Sequence, residues 1–354
     1  MTGIAWPVDN ETKKVSTTTT AKKVWLASLS ALTDETTDYH LDLDSDLVAK
    51  ALNLYKEINQ TPNKEWRHGY IPLLAEHSLL MASSPSIATI EMSKRGLDEL
   101  NSLMTIELKD GQIFAAKDAV LLDAIEKCGP TSFENLSLSG SRDSVPMTKF
   151  ELRAPREKPS DKINPTVTGN VMKDQLRAWA NYGCIEPSCA TSGSEIADMD
   201  DISHIVKDRV FVLLGATSSL GPISNLMKIQ GATIAAIARP GKKIQSLMEK
   251  VKKEATESVT VLFPSRKNPE DENGDLVVGA DLITDAPELA QWISSICPDK
   301  QLVICCLAYL DGEKHVRASV GMDLICEYVC EKRKNTALSY LVSVSNVRFV
   351  ITNT

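Results

Sequence analysis

The chain has 354 residues, 43% of them hydrophobic and 24% charged, the make-up of a folded protein with two or three domains. Its net charge of -8 excludes a broad nucleic-acid surface, which needs clustered lysine and arginine. The longest apolar run, Leu302–Leu310, falls well short of the roughly eighteen residues that span a bilayer, so no membrane span is expected.

Lys13, Lys14, Lys22 and Lys23 surround a threonine run near the amino terminus, but no apolar stretch follows, which argues against a secretory leader. Asp9 and Glu11 weaken the case for an organellar address without closing it. Of the eight cysteines, Cys305 and Cys306 lie in an apolar run, Cys326 and Cys330 are one helical turn apart, and Cys184 and Cys189 flank a proline-containing turn. No second pair stands at zinc-ligand spacing, and the histidines at 40, 68, 77, 204 and 315 are scattered. Free thiols, no metal site and a reducing, cytoplasmic setting are the plain expectation.

In chain order, residues 1–42 are polar, threonine-rich and aperiodic, and read as a mobile tail in which only Val24–Leu29 docks. Asp44 or Ser45 caps a helix whose apolar face is Leu47, Val48, Ala51, Leu52, Tyr55 and Ile58. Further helices are predicted from about Pro72 to Ala82 and from Ser86 to Met104. Thr105–Leu108 and Gln112–Ala115 are extended runs joined through Lys109-Asp110-Gly111, the chemistry of a tight hairpin. A helix over Lys117–Lys127, stopped by Gly129-Pro130, completes a small α+β domain at 43–150 with no catalytic constellation. Residues 151–205 read as a linker, with a strand over Lys149–Arg153, a helix over Met172–Tyr182 and a loop over Gly183–Asp201.

From 206 onward the pattern changes. Val210–Leu214 is a continuous apolar run, as expected of a strand buried on both faces of a parallel sheet. It enters Gly215-Ala216-Thr217-Ser218-Ser219-Leu220-Gly221, then a predicted helix from Pro222 through Ile229, and after Gly231 a second apolar strand, Thr233–Ala238. Strand, glycine turn, helix and strand form the βαβ unit that holds a dinucleotide. Gly215 permits the sharp turn, Gly221 the close helix–strand packing, and the helix start faces the pyrophosphate with Thr217, Ser218 and Ser219 hydroxyls beside it. The alternative is a tight turn that binds nothing.

The second strand ends in Ala238-Arg239-Pro240-Gly241, then Lys242 and Lys243, without the carboxylate that would grip a ribose 2′-hydroxyl. That favours NADP over NAD and disfavours S-adenosylmethionine. The competing reading makes these cations a solvated helix start. Helices near Lys243–Glu254, after Asp285 and over Glu313–Lys332 alternate with strands at Val259–Phe263, Leu302–Leu307 and Thr336–Val342, with a charged loop at Pro264–Gly274. The fold class is therefore α/β, a Rossmann-type parallel sheet at 206–354 in the order 3-2-1-4-5, preceded by the small α+β domain.

Over about 206–345 these residues resemble the short-chain dehydrogenase/reductase superfamily. Gly215–Gly221 is similar to its glycine-rich loop, with Ser219 at a usual glycine, and Asp281-Leu282-Ile283-Thr284-Asp285 to its segment whose Asp lies near the adenine. Arg239 matches the NADP-preferring members. The resemblance implies NADP(H) as cofactor and an oxidoreductase acting on a carbonyl or alcohol. Three departures stand against it. Cys305-Cys306-Leu307-Ala308-Tyr309 replaces the family's Asn-Ala-Gly, Ser343 or Ser345 stands where its Ser would be, and the chain stops at Thr354 before a Tyr–Lys helix. The fold is thus either incomplete or a nucleotide fold without that chemistry, and no catalytic residue is assigned. Tyr328 and Lys332 share a helical face, as proton donation needs, but that helix precedes the fifth strand. Val316, Val320, Leu324 and Tyr328 form one packing row, which argues for a core role. The Tyr309-Leu310-Asp311-Gly312 turn is better placed to face a ligand. The alternative function is a non-catalytic Rossmann interaction or scaffold module. Val347–Ile351, apolar and uncovered, predicts self-association or a protein partner.

Overall fold

Short apolar runs buried along nearly their whole length organise the fold. The computed structural model describes residues 3–8, 14–37, 43–107, 111, 113–115, 133–141, 146–155, 164–267 and 275–340. Its strands are β1 (Gly3–Ala5), β2 (Thr105–Glu107), β3 (Ile113–Ala115), β4 (Glu134–Ser139), β5 (Leu152–Arg153) and β6 (Thr166–Val167), then β7 (Arg209–Leu214), β8 (Thr233–Ile237), β9 (Thr260–Lys267), β10 (Leu276–Val278), β11 (Gln301–Cys306) and β12 (Thr336–Tyr340). The expected helix at Lys117–Lys127, its Gly129-Pro130 stop, the turn residues Lys109 and Asp110, most of the 264–274 loop and the Val347–Ile351 run lie outside the described residues.

The protein is mixed α/β, built on a seven-stranded, mostly parallel sheet. Five parallel strands run β9-β8-β7-β11-β12, the order predicted from sequence, with Val212 in register between Ala235 and Ile304. Each residue of β7 turns to the face opposite its neighbour's. Val210, Val212 and Leu214 enter one core with Trp292, Ile293, Ile325 and Val329 of helices Ala286–Ser295 and Glu313–Lys332. Leu213 enters the other with Leu226, Ile244, Leu247 and Val251, from helices Ile223–Leu226 and Lys242–Glu254. Both faces are covered, which is why the strand text is apolar without alternation.

β4 and β10 pair antiparallel with β9. The sequence places β4 in the region before residue 150, but it belongs to the large sheet. Asn135 Oδ1 accepts a 2.9 Å hydrogen bond from Trp292 Nε1, and Leu136 and Leu138 pack on the second core. A run of alternating Ser and Leu carries no signal for which distant strand it joins.

The amino-terminal third corrects several expectations. Residues 1–42 are not simply a tail: Thr17–Thr33 is a helix, with Leu29, Ala31 and Leu32 buried. Threonine is a poor helix former, so burial decides here. This helix packs on helix Ser86–Leu103 at Gly96, where an added Cβ would make van der Waals contact with Ser28 Cβ at 3.4 Å. The helix expected from Pro72 begins at Asn63 and runs through Pro72 to Ser83. Trp66, its ring centre 5.2 Å from that of Trp25, anchors the earlier turns and offsets the hydrogen bond that the proline removes. Ser45–Gln60 starts as predicted, with the Asp44 carboxylate accepting from Asp46 N at 2.8 Å. β2 and β3 form the expected antiparallel ladder, Gly111 takes a positive φ of 83°, and β1 joins as a third strand.

Between 164 and 206 the predicted helix is present as Gly169–Tyr182, but the expected loop at Gly183–Asp201 contains helix Pro187–Ala197. Its small residues pack on the preceding helix. A Cβ at Gly193 would come 2.7 Å from Leu176 Cδ1, so the serine-rich text marks close helix packing rather than the expected loop. No helix among the described residues is long and apolar enough to cross a membrane.

His77 is buried among Trp25 and the helices, with Nε2 3.1 Å from Ser28 Oγ. Burial pushes its pKa down from 6.5 to about 4. The unfolded chain therefore binds this proton while the folded chain refuses it, so stability is full above about pH 6.5 and falls as pH drops towards 4. The loss should reach roughly 3 kcal/mol. Urea unfolding of wild type and His77→Gln between pH 4 and 7 tests this. The variant should lose less stability over that window, and parallel curves would refute the assignment.

Candidate functional site

A cleft of about 650 Å³ opens where β7, β8 and β11 end. Its walls carry Gly215, Thr217, Ser218 and Ser219 after β7, Arg239 to Lys243 after β8, Asp281 and Leu282 before helix Ala286–Ser295, and Ala308 to Leu310 after β11. Helices Ile223–Leu226 and Lys242–Glu254, on the β8 side, cover one face and Ala286–Ser295 and Glu313–Lys332, on the β11 side, cover the other, so the loops after β7 and β11 splay apart here. Ligands of open parallel sheets lie at such a reversal.

Gly215 has φ +102°, and a Cβ there would stand 2.7 Å from Ala308 N. Glycine is thus demanded by the neighbouring strand end, whatever the ligand. Gly215 N and Ala216 N both donate to Ile237 O, at 3.0 and 2.8 Å, while Ser218 N donates to Gly215 O and Gly221 N to Ser218 O. The loop satisfies four of its own amides. Those of Thr217, Ser219 and Leu220 have no partner among the described residues.

The helix expected from Pro222 through Ile229 is a single turn, Ile223–Leu226. Past Leu226 the amides of Lys228 and Ile229 donate to Asn225 O and Leu226 O, tight i−3 turns in place of helical i−4 bonds, and Lys228 O and Met227 O accept from the distant Met147 N and Thr256 N. One turn aligns too few peptide dipoles to form a helix-end anion site. The pyrophosphate-facing helix start expected from sequence is therefore absent, and anion recognition falls to the loop's amides and hydroxyls. Gly221 does sit close to the adjacent strand end, where an added Cβ would lie 3.4 Å from Leu307 Cδ1. Neither Gly221 nor Leu220, which is 76% exposed, lines the cleft.

The opposite wall is cationic. Arg239, Lys242 and Lys243 are all exposed, with no ion pair among the described residues. Behind them Gly279 presses against β8: a Cβ there would reach 2.5 Å from Ala238 O, and Ala280 N donates to that carbonyl at 2.9 Å. Glycine directly before Ala280-Asp281 is the sign of this contact in the sequence. Asp281 is the one acidic residue among the described residues that line the cleft. Its Oδ1 accepts from Ile283 N at 2.8 Å, and its own N donates to Asp285 Oδ2 at 2.9 Å, so the residue shapes a turn. Asp285 is buried and paired at 2.9 Å with Arg266, whose guanidinium lies 5.0 Å from the Phe133 ring centre. Leu282 crosses the long helix at Gly321, where a Cβ would collide with Leu282 O.

Tyr328 is 7% exposed in the first core, and Lys332 Nζ lies 5.4 Å from its ring centre, the packing role expected for this pair. Ala318 of the same helix touches the cleft, and ten residues at 1.5 Å each put Tyr328 about 15 Å away. Burial raises the Cys305 thiol to about 11, and the hydrogen bond with Cys326 Sγ at 3.6 Å, followed by burial, holds Cys306 far above the thiolate range, so neither is a ready nucleophile. The seven cysteines among the described residues are free, and no cluster of three or more His, Cys, Asp or Glu with metal-site geometry occurs among those residues. Ser343 and Ser345 lie outside the described residues. No family model, curated protein or solved structure matches this chain.

Two glycines on this cleft make a controlled comparison. Gly215→Ala combines left-handed strain with a backbone collision and should cost about 3 kcal/mol or more. Gly241→Ala, at φ +130° with nothing within 4 Å, should cost about 1 kcal/mol. Denaturant midpoints followed by tryptophan fluorescence measure both, and equal losses would show that the strand-end contact is unimportant.

Proposed function

We propose that this chain binds NADP(H) in the cleft, as a Rossmann-type unit similar to the short-chain dehydrogenase/reductases. The observation that carries the reading is the exposed cationic corner of Arg239, Lys242 and Lys243, on a wall where the Asp281 carboxylate is committed to its own turn. A ribose 2′-phosphate is a dianion near neutral pH, and guanidinium binds such oxygens bidentately. The amides of Thr217 and Ser219, which have no partner among the described residues, and the Thr217, Ser218 and Ser219 hydroxyls offer donors to a diphosphate without requiring a long helix. Asp281 and Leu282 then border the adenine side. The cofactor would supply hydride exchange with a carbonyl or alcohol; this chain's residues bind and orient it, and none is assigned the proton transfer.

A second reading, a non-catalytic interaction or scaffold module, draws support from the one-turn helix and from the four loop amides that the protein itself consumes. Calorimetric titration of the whole chain with NADP⁺ and NAD⁺ tests the cofactor. NADP⁺ should bind about tenfold more tightly or better, and Arg239→Ala should remove that preference while leaving NAD⁺ affinity unchanged, as one charge-assisted contact of about 1.4 kcal/mol implies. Equal affinities or no binding would overturn the assignment. NADPH oxidation against a panel of carbonyl compounds separates the readings: turnover excludes the scaffold role, and binding without turnover supports it.

A further inference from the structure

Among the described aromatic side chains, Tyr182 and Tyr309 are exposed, at 85% and 74%, and of the two Tyr309 lines the cleft. The protein leaves one large ring standing at the mouth of a concave site instead of burying it. Its position is also constrained. Tyr309 follows β11, and Gly312, at φ +62°, reverses the chain into helix Glu313–Lys332. His315 N donates to Gly312 O at 3.1 Å, and the imidazole lies 5.0 Å from the Tyr309 ring centre at 47° between planes. That helix start is itself pinned to the amino-terminal strand. Glu313 accepts a 2.9 Å hydrogen bond from Trp6 Nε1, and Arg317 Nε donates to Ile4 O at 2.5 Å.

The cleft has two ends. Arg239, Lys242 and Lys243 stand at the end of β8, Tyr309 and His315 at the end of β11, and the Gly215 loop of β7 lies between them. A dinucleotide with its phosphorylated ribose at the cationic end and its diphosphate at Thr217–Ser219 must carry its second ring towards β11. We infer that Tyr309, braced by His315, is the stacking face for that second, nicotinamide ring, and so sets the cleft's preference for a complete dinucleotide over the same molecule without that ring. The inference rests on the proposed NADP(H) binding. Stacking needs only an aromatic face, so the hydroxyl is dispensable for it.

The test titrates the full chain with NADP⁺ and with 2′-phospho-ADP-ribose, which keeps every anionic group and lacks nicotinamide. Wild type should favour NADP⁺ by about tenfold, the contribution of one stacked ring. Tyr309→Ala should abolish that preference by weakening NADP⁺ alone, and Tyr309→Phe should retain it. His315→Ala should fall between them. The ring is exposed, so these variants should fold, and near-ultraviolet circular dichroism checks that they do. A Tyr309→Ala effect equal on both ligands, or on neither, overturns the inference while leaving the cofactor proposal in place. Failure of wild type to bind either ligand sinks both.

Discussion

The structure depends on one constraint: β7 is hydrogen-bonded along both edges and buried on both faces. Its pairing with β8 and β11 sets those three strand ends level, and the helices of the β8 side lie on one face while those of the β11 side lie on the other. A cleft at the carboxyl ends is the geometric consequence. Gly215 is the price of that arrangement, because the end of β11 passes too near to admit a side chain. The loop's own hydrogen bonds to Ile237 O then hold it over β8. The cleft's shape is thus a by-product of sheet packing, present before any ligand contributes.

The amino-terminal segments bind into this frame through backbone groups that only a folded chain brings near. Ile4 N donates to Ile283 O at 2.9 Å, and Gly3, at φ +100°, passes so close to Ile283 that any side chain would collide. Ile4 and Trp6 then join Met104 and Ile106 in the same core as Val212 and Ile304. The helical region, the small sheet and the large sheet therefore share buried surface. The segment that forms the cleft's floor, Ala280–Ile283, is held from behind by residues near the start of the chain.

Charge follows burial in the same way. The buried acid of this region, Asp285, is matched by Arg266 and by the amide of Asp281. The cations of the rim are left in solvent, where hydration keeps them at little cost and an anionic ligand could still displace water. At the other end of the sheet, Arg333 donates to the carbonyls of Ile296, Cys297 and Lys300, closing the loop that carries Cys297 at φ +41°. One arginine satisfies several carbonyls that no strand or helix could reach.

By itself the sequence determined what depends on neighbours along the chain. The apolar runs at 210–214, 233–238 and 302–307, each followed by glycine or a polar turn, were enough for the strands, their parallel order and the end of the sheet where the cleft opens. Arg239 and the missing carboxylate were legible because they follow directly on such a strand. Tertiary structure decided the rest. Thr17–Thr33 is helical because Leu29 and Leu32 find a partner face, and Pro187–Ala197 because small residues fit against Leu176. β4 has a home only because the edge of β9 stands open beside it. The predicted helix after Gly221 is one turn because the chain tightens to i−3 bonds at Lys228 and Ile229, and with its length went the anion site that a longer helix would have made. Hydrophobic period encodes where a segment can be buried. Which distant backbone atoms meet it there is set by the packing of the whole chain.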